Sequence, residues 1–416
     1  MSVLSDKKRF FSPAMAFWLI FTAGLALRLV FAALVPWDQY QHDIGGNVGH
    51  KAVIEYIALH GKLNSETNSW QFSHPQLHHI LYALFYRFTA LFTQDTDVIM
   101  SVLTYICAAL SMVGVWAVHK TLALLFKQPS VVLFGTFFYT FMPSNILTSR
   151  YLNNDSTLIL LSCLCFMFAL QWYKTKQTKS LLLTALFASL SMCAKASGVL
   201  IVPILGVLYL LSLIKEGIGA HAVRYLKNFG LFLLVYLPLP AFFFGRMYIL
   251  FKQPLGYISQ PGGLPETGDL LTHFYFPLNM FVDPYSTYPF DENMKELMHY
   301  PEYLLKSSLF GEFRFDGSLV FPRILLGFAM VTLILLIVFC LYRLCILKPF
   351  YDWPLALFTA TGLFLPMGFH ISTCIRFPYA CTYNYRYLAP FMIFIVILLC
   401  KAFSFALQKK WVVGSE

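Results

Sequence analysis

The sequence predicts an all-helical, polytopic membrane protein, and three observations carry that reading. Of its 416 residues 58% are hydrophobic and only 12% are charged, with a mean hydropathy of +0.65, whereas a soluble domain carries about twice that charged fraction. Apolar runs of about 20 residues, the length that crosses a roughly 30 Å hydrocarbon layer, recur along the chain. Lys and Arg gather in short connections that would all face one side of the membrane.

About ten runs qualify as spans: residues 13–35, 97–124, 129–148, 156–173, 180–194, 197–214, 228–250, 321–346, 353–372 and 387–407. The first follows Lys7, Lys8 and Arg9. It is too long for the apolar core of a signal peptide and lacks a small-residue cleavage pattern, so it reads as a retained anchor. Both termini are then cytoplasmic, as are Lys174, Lys176, Lys215 and Arg224, while Asp6, Glu216, Asp352 and Glu416 are the only acids on that side. The remaining acids lie outside, where polar chemistry is expected. The net charge of +10 reflects cytoplasmic anchoring and is no argument for nucleic acid as a partner.

The chain reads as a single integral membrane domain over residues 1–416, with two external segments too long to be plain connectors, 36–96 and 251–320. Long ordered loops commonly carry function. The first contains two amphipathic pieces, "GHKAVIEYIALHGKL" and "HPQLHHILYALFYRFTALF", read as interfacial helices. The second, rich in Pro, Gly and Tyr, reads as turns followed by one or two short helices against the membrane, covering donor or acceptor. Most of the nine cysteines fall inside apolar runs; Cys374 and Cys381 share the last external loop, where a local disulfide and two separate thiols are both open readings.

Ionisable groups at a membrane boundary are costly and call for a reason. Asp43, in "HDIGGNVGH", leaves the first span beside two glycines; it is either a general base held over the membrane face or a cap for the helix that follows. His74 precedes Pro75, which holds it extended and leaves it either an interfacial aromatic or a group turned toward the same site. Arg28, two turns inside the first span, either pairs with an acid or carbonyl or supports the site. Asp155 in "SRYLNNDSTL" fits a helix cap or a substrate contact. Lys195 in "CAKASGVL" fits a phosphate or a snorkelling side chain. Together with Arg150, Arg376 and Arg386, it makes a set of cations drawn from separate helices to one face, suited to an anionic lipid head group. Nucleotide-binding, serine-hydrolase, zinc-protease and dinucleotide fingerprints are absent from the sequence.

The first span ending "LRL", the loop Asp followed by "GH" and "YI", and then "HPQL" resemble the first external loop of the protein O-mannosyltransferases and of the lipid A aminoarabinose transferases. Downstream, "NND", "AK", "SLFGEF" and "NYRY" followed by Pro are similar in order to bacterial proteins of the glycosyltransferase 39 family. The resemblance implies a GT-C fold and a polyprenyl-phosphate-linked sugar as donor. It implies an inverting transfer of that sugar to an acceptor hydroxyl or amine on a protein, lipid or cell-surface glycan. The site would be extracytoplasmic, with a bacterial inner membrane as the expected location. Three departures stand out: "DI" where the mannosyltransferases carry two acids, Gln76 in place of a second Pro, and no soluble C-terminal domain.

In this reading Asp43 is the base, Lys195, Arg386, Arg150 and Arg376 meet the donor phosphate, and His74, His50, Arg28, Asp155 and Glu312 support them. No cofactor is required; Asp43, His42, His50 and His74 offer donors for a divalent metal, but basic residues alone suffice for the phosphate, so no metal is expected. The alternatives are a secondary transporter, which would put charges at the membrane midplane, and a non-catalytic lipid-binding protein. Sugar and acceptor are not legible in these residues.

Overall fold

The computed structural model describes residues 12–257, 274–277, 279–285, 299–345 and 352–413. Among these residues the fold is helical and without strands. Helix α1 (Pro13–Leu34) starts where Ser12 accepts the Met15 N–H at 3.1 Å and Pro13 fills the first turn, which needs no N–H partner there. It is followed by α2 (His50–His60), α3 (Leu77–Thr89), α4 (Thr96–Leu125), α5 (Pro129–Phe141), α6 (Pro143–Thr148), α7 (Asn154–Thr175) and α8 (Thr178–Ala194). The second half holds α9 (Ile201–Glu216), α10 (Ile218–Tyr236), α11 (Pro238–Phe251), α12 (Tyr300–Phe310), α13 (Val320–Cys345), α14 (Trp353–Arg376) and α15 (Met392–Val413).

Among the described residues seven helices are long and apolar enough to cross a membrane, and α10 with α11, bent by 48°, makes an eighth when the pair is counted as one span. Pro238 and Pro240 explain the bend, because a proline removes a helical hydrogen bond and clashes with the turn before it. The expected count of about ten is not reached among the described residues. The predicted span 129–148 is cut at Pro143 into α5 and the one-turn-and-a-half α6, and 180–194 becomes the 17-residue α8.

Helix α7 is the central post, packing against α4 and α8, while α13 lies at the edge with little of its surface covered. Phe166 of α7 meets Phe358, Phe391 and Phe394 from the C-terminal helices, which fill the centre with aromatic volume. At one end of the bundle Asp352 takes hydrogen bonds from Tyr173 and from Lys215 at 3.0 Å, and Glu216 pairs with Lys176 at 2.9 Å and with Arg224. These two acids are the ones expected among the cytoplasmic lysines, and they neutralise part of that cluster. The first-loop helices and residues 377–391, between α14 and α15, stand at the other end.

Helices form at both amphipathic stretches predicted in the first loop, α2 and α3. They pack on each other through Val53, Ile54, Tyr82 and Tyr86, with Phe72 from the turn before α3 and Met100 and Leu103 of α4 closing the cluster. The far side of α3 exposes Leu84 and Phe88, continued by Leu91 and Phe92. In the second loop α12 is the short helix expected, and residues 258–273 and 286–298 of that prediction lie outside the described residues.

Candidate active site

The chain leaves α1 and is tied at once to the turn between α6 and α7. Arg150 donates from its guanidinium to the carbonyls of Gln39 (2.8 Å), Val35 (3.0 Å) and Pro36 (2.6 Å). Gln41 completes the tie, its amide donating to the Arg150 carbonyl at 3.1 Å and accepting the Leu152 N–H at 2.9 Å. Arg150 therefore does not join the predicted phosphate group: its charge is spent on three carbonyls that fix where the loop begins.

Two residues further on, Asp43 adopts φ 57°, the left-handed region that Asp enters more readily than most residues. That twist turns its carbonyl toward α2, where it accepts the His50 N–H at 2.9 Å. Gly49 caps α2 without a side-chain bond, and a Cβ there would stand 2.1 Å from the Gly45 carbonyl oxygen. So the backbone of Asp43 receives the helix and its carboxylate does not cap it. The carboxylate, 29% exposed, instead faces Arg386, with Oδ2 at 3.3 Å from Nη2.

Arg386 sits in a run of short 3-10 turns between α14 and α15, held by the Asn384 side chain, which accepts its N–H at 2.9 Å. Its Nη2 also donates to the Tyr387 hydroxyl at 3.1 Å. Burial works against the charge of Arg386, but Tyr387 and the carboxylates of Asp43, Asp155 and Glu312 outweigh it, and the pKa is raised. The Tyr387 ring lies beneath a second cation, Lys195 Nζ at 4.9 Å from its centroid.

Lys195 ends α8 and pairs with Asp155 at 2.5 Å, in a site where Asp155 is 2% exposed. Burial lowers the Lys195 pKa and the neighbouring Arg386 adds to the effect, with Asp155 opposing both. Asp155 is not the cap of α7; Asn153 is, accepting the Asp155 N–H at 3.1 Å and leaving the acid free for Lys195.

Glu312, just past α12, faces His42 Nδ1 at 3.2 Å. Burial would raise its pKa, but His42 and Arg386 prevail and hold it at about 2. His42 lies edge-on to Tyr151 and tilted over Phe313, so the residue preceding Asp43 is bracketed by rings. His74 has the extended backbone expected before proline, φ −80° and ψ 156°. Burial and Lys195 bring it down to about 4 against the pull of Asp43 and Asp155, so it is a neutral imidazole beside the ion pairs.

Three predicted residues stand apart from this group. His50 stacks on His79, its Nδ1 at 2.9 Å from His79 Nε2, deep between α2 and α3; burial and the neighbouring His79 and His78 hold it well below the usual histidine range. Its backbone N–H reaches the Asp43 carbonyl, and its ring lies near enough to His74 and Lys195 for both to add to the lowering. Arg28 is 1% exposed and donates to the carbonyls of Gly24 (3.0 Å) and Thr140 (2.9 Å), the carbonyl pairing left open above. Arg376 is exposed at the end of α14 against Phe377. Cys374 and Cys381 are separate thiols, with Cys374 Sγ turned to the Thr382 carbonyl at 3.3 Å.

The tertiary structure thus brings Asp43, Arg386, Lys195, Asp155, Glu312 and His74 to one end of the bundle, and adds His42, Asn384 and Tyr387. The signal for the last two lies in "NYRY", on either side of the Arg. Among the described residues no three His, Cys, Asp or Glu side chains stand together as a metal site. What the arrangement offers is a carboxylate with solvent access, backed by two cations that stand over one tyrosine ring.

Residues 73–242 match the family model of the dolichyl-phosphate-mannose-protein mannosyltransferases. The chain is similar to that membrane glycosyltransferase family over this stretch, as the loop and downstream motifs suggested; the match takes in His74, Asp155 and Lys195 but not Asp43 or Arg386. No curated protein sequence matches. Among solved structures, ArnT from Cupriavidus metallidurans in the apo state is similar at 13% identity, over 94% of this chain and 78% of that one, with a TM-score of 0.44. The same protein bound to undecaprenyl phosphate gives 12% identity, 92% and 77% coverage and a TM-score of 0.42.

Proposed function

We propose that the protein is a GT-C membrane glycosyltransferase that moves a sugar from a polyprenyl-phosphate donor to an acceptor hydroxyl or amine, with inversion at the anomeric carbon. The family match supports the class, and one observation carries the assignment of the site: Asp43 and Arg386, 343 positions apart, face each other at 3.3 Å with Lys195 beyond Tyr387. Transfer needs a base for the acceptor proton, an in-line approach and charge stabilisation for the departing lipid phosphate.

Asp43 takes the acceptor proton. The acceptor oxygen or nitrogen then forms its bond to the anomeric carbon as the bond to the phosphate oxygen breaks, and the phosphate leaves as an anion. Arg386 and Lys195 hold that anion, Arg by a planar pair of N–H donors and Lys as a point charge. In the free enzyme Lys195 is paired with Asp155 and Arg386 with Asp43, so carboxylates hold both cations in place. Two protein cations make a metal unnecessary for this step. The site faces the extracytoplasmic side of a bacterial inner membrane, since the Lys-rich connections occupy the opposite end.

The test is Asp43→Asn in purified protein supplied with a lipid-phosphate sugar. Transfer should fall about a hundredfold or more, while the melting temperature and binding of bare polyprenyl phosphate stay near wild type. Transfer within about threefold of wild type would remove Asp43 as the base.

A further inference from the structure

The stretch that delivers Asp43 is held in an unfavourable backbone conformation. Tyr40 has φ 50° and Asp43 φ 57°, two non-glycine residues in the left-handed region within four positions. Such a conformation persists only where the surroundings over-determine it. Arg150 fixes where the stretch begins, and its far half is held from another element, the residues just past α12. Gly311 ends α12 with φ 62° and turns the chain back. The Phe313 and Phe315 rings then each lie 5.3 Å from the Tyr40 ring, and Phe313 lies 5.0 Å from the His42 imidazole. Between them Glu312 Oε2 accepts from His42 Nδ1 at 3.2 Å, with both side chains nearly covered.

Glu312 also reaches the segment that carries the cation. The Asn384 side chain hydrogen-bonds to it, and the same side chain accepts the Arg386 N–H through its Oδ1 at 2.9 Å, so its NH2 group is the part left for the carboxylate. Ser307 of α12 adds a parallel tie, its hydroxyl accepting the Tyr385 N–H at 2.9 Å. One carboxylate thus joins the residue before Asp43 to the residue that holds the backbone of Arg386. A buried acid is a poor way to stabilise a fold, because apolar residues of similar volume do as well or better. What it supplies is direction, since charge-assisted bonds to two separate segments fix their relative placement.

We propose that Glu312 is a positioning residue for the transfer: through His42 and Asn384 it aims the Asp43 carboxylate at the Arg386 guanidinium, without touching substrate or taking a proton. The inference rests on the reading of Asp43 as the base and adds what holds that base in place.

The experiment uses the full chain in lipid nanodiscs with a lipid-phosphate sugar. Glu312→Ala should lower kcat about a hundredfold, the cost of moving a catalytic group by about 1 Å. KM and the binding of bare polyprenyl phosphate should stay within about threefold. Glu312→Gln keeps one oxygen to accept from His42 and should recover about tenfold of the loss. Placed in the Asp43→Asn background, either change should cost less than about threefold more, because a residue that acts through Asp43 has nothing left to aim. The inference is overturned if Glu312→Gln matches wild type, if either variant weakens phosphate binding as much as it lowers kcat, or if its loss repeats in full on top of Asp43→Asn. Should the Ala variant not fold, the nearly isosteric Gln variant decides by the same comparison. Wild-type transfer by Asp43→Asn alone would overturn the base reading and this inference with it.

Discussion

Asp43 Oδ2 lies 3.3 Å from Arg386 Nη2, so a residue just past the first span is paired with one just before the last. The same guanidinium is near Glu312 and Asp155, which makes Arg386 the hub of the site. Replacing it by Gln should lower kcat by about a hundredfold, the usual cost of one preorganised donor at a charge that develops in the transition state. Arg386→Lys should recover only part of this, because a point charge cannot offer two parallel N–H groups. Steady-state kinetics with a lipid-phosphate sugar measure both; equal rates for the Lys variant and wild type would deny the paired geometry.

Lys195 and Asp155 are both buried, and removing one leaves the other's charge unanswered. Asp155→Asn should destabilise the protein by about 3–5 kcal/mol. Asp155→Asn combined with Lys195→Met should be more stable than the single variant, since no buried charge is left over. Thermal unfolding in detergent reads both, and a double variant no more stable than the single one would show that the pair does not act as a unit.

Two groups make acid stability depend on this site. His74 is held at about 4, below its ordinary value near 6.5. The unfolded chain therefore binds its proton first, and stability falls as pH drops from 6.5 toward 4. Glu312 is held at about 2, below its ordinary value near 4.5. Its contribution, about 3 kcal/mol, is whole above pH 4.5 and is lost as pH falls toward 2. His74→Gln should flatten the upper window and Glu312→Gln the lower one, each seen as a reduced slope of melting temperature against pH.

The tight turn before α2 gives a pair of matched substitutions. A Cβ at Gly49 would stand 2.1 Å from the Gly45 carbonyl oxygen, whereas a Cβ at Gly45 meets nothing within 4 Å. Gly49→Ala must push the backbone that carries Asp43, and displacements of about 1 Å in a catalytic group can cost about a hundredfold. Gly45→Ala should leave transfer within about threefold. Similar activities for the two variants would mean that the turn does not set the position of Asp43.

What depends on neighbours along the chain is legible in the residues. Apolar runs place the membrane helices, because burial in lipid requires about 20 residues in succession. Pro75 extends His74, and the amphipathic stretches become α2 and α3. What depends on neighbours in space is set when the helices pack. Arg150 and Arg386 look alike in sequence, both at the outer edge of a span. Packing gives Arg150 three carbonyls and Arg386 a carboxylate. Asp155 and Asn153 both fit the start of α7, and Lys195 draws the acid away and leaves the cap to the amide. A brief break such as the one at Pro143 is invisible to hydropathy, which averages over a window that a single proline does not change. The site is assembled from the first loop, the α6–α7 turn, the end of α8, the end of α12 and the turns before α15, so no contiguous stretch contains it. Its charges share one site because carboxylate and cation stabilise each other where water is scarce, and that pairing exists only once the bundle has closed.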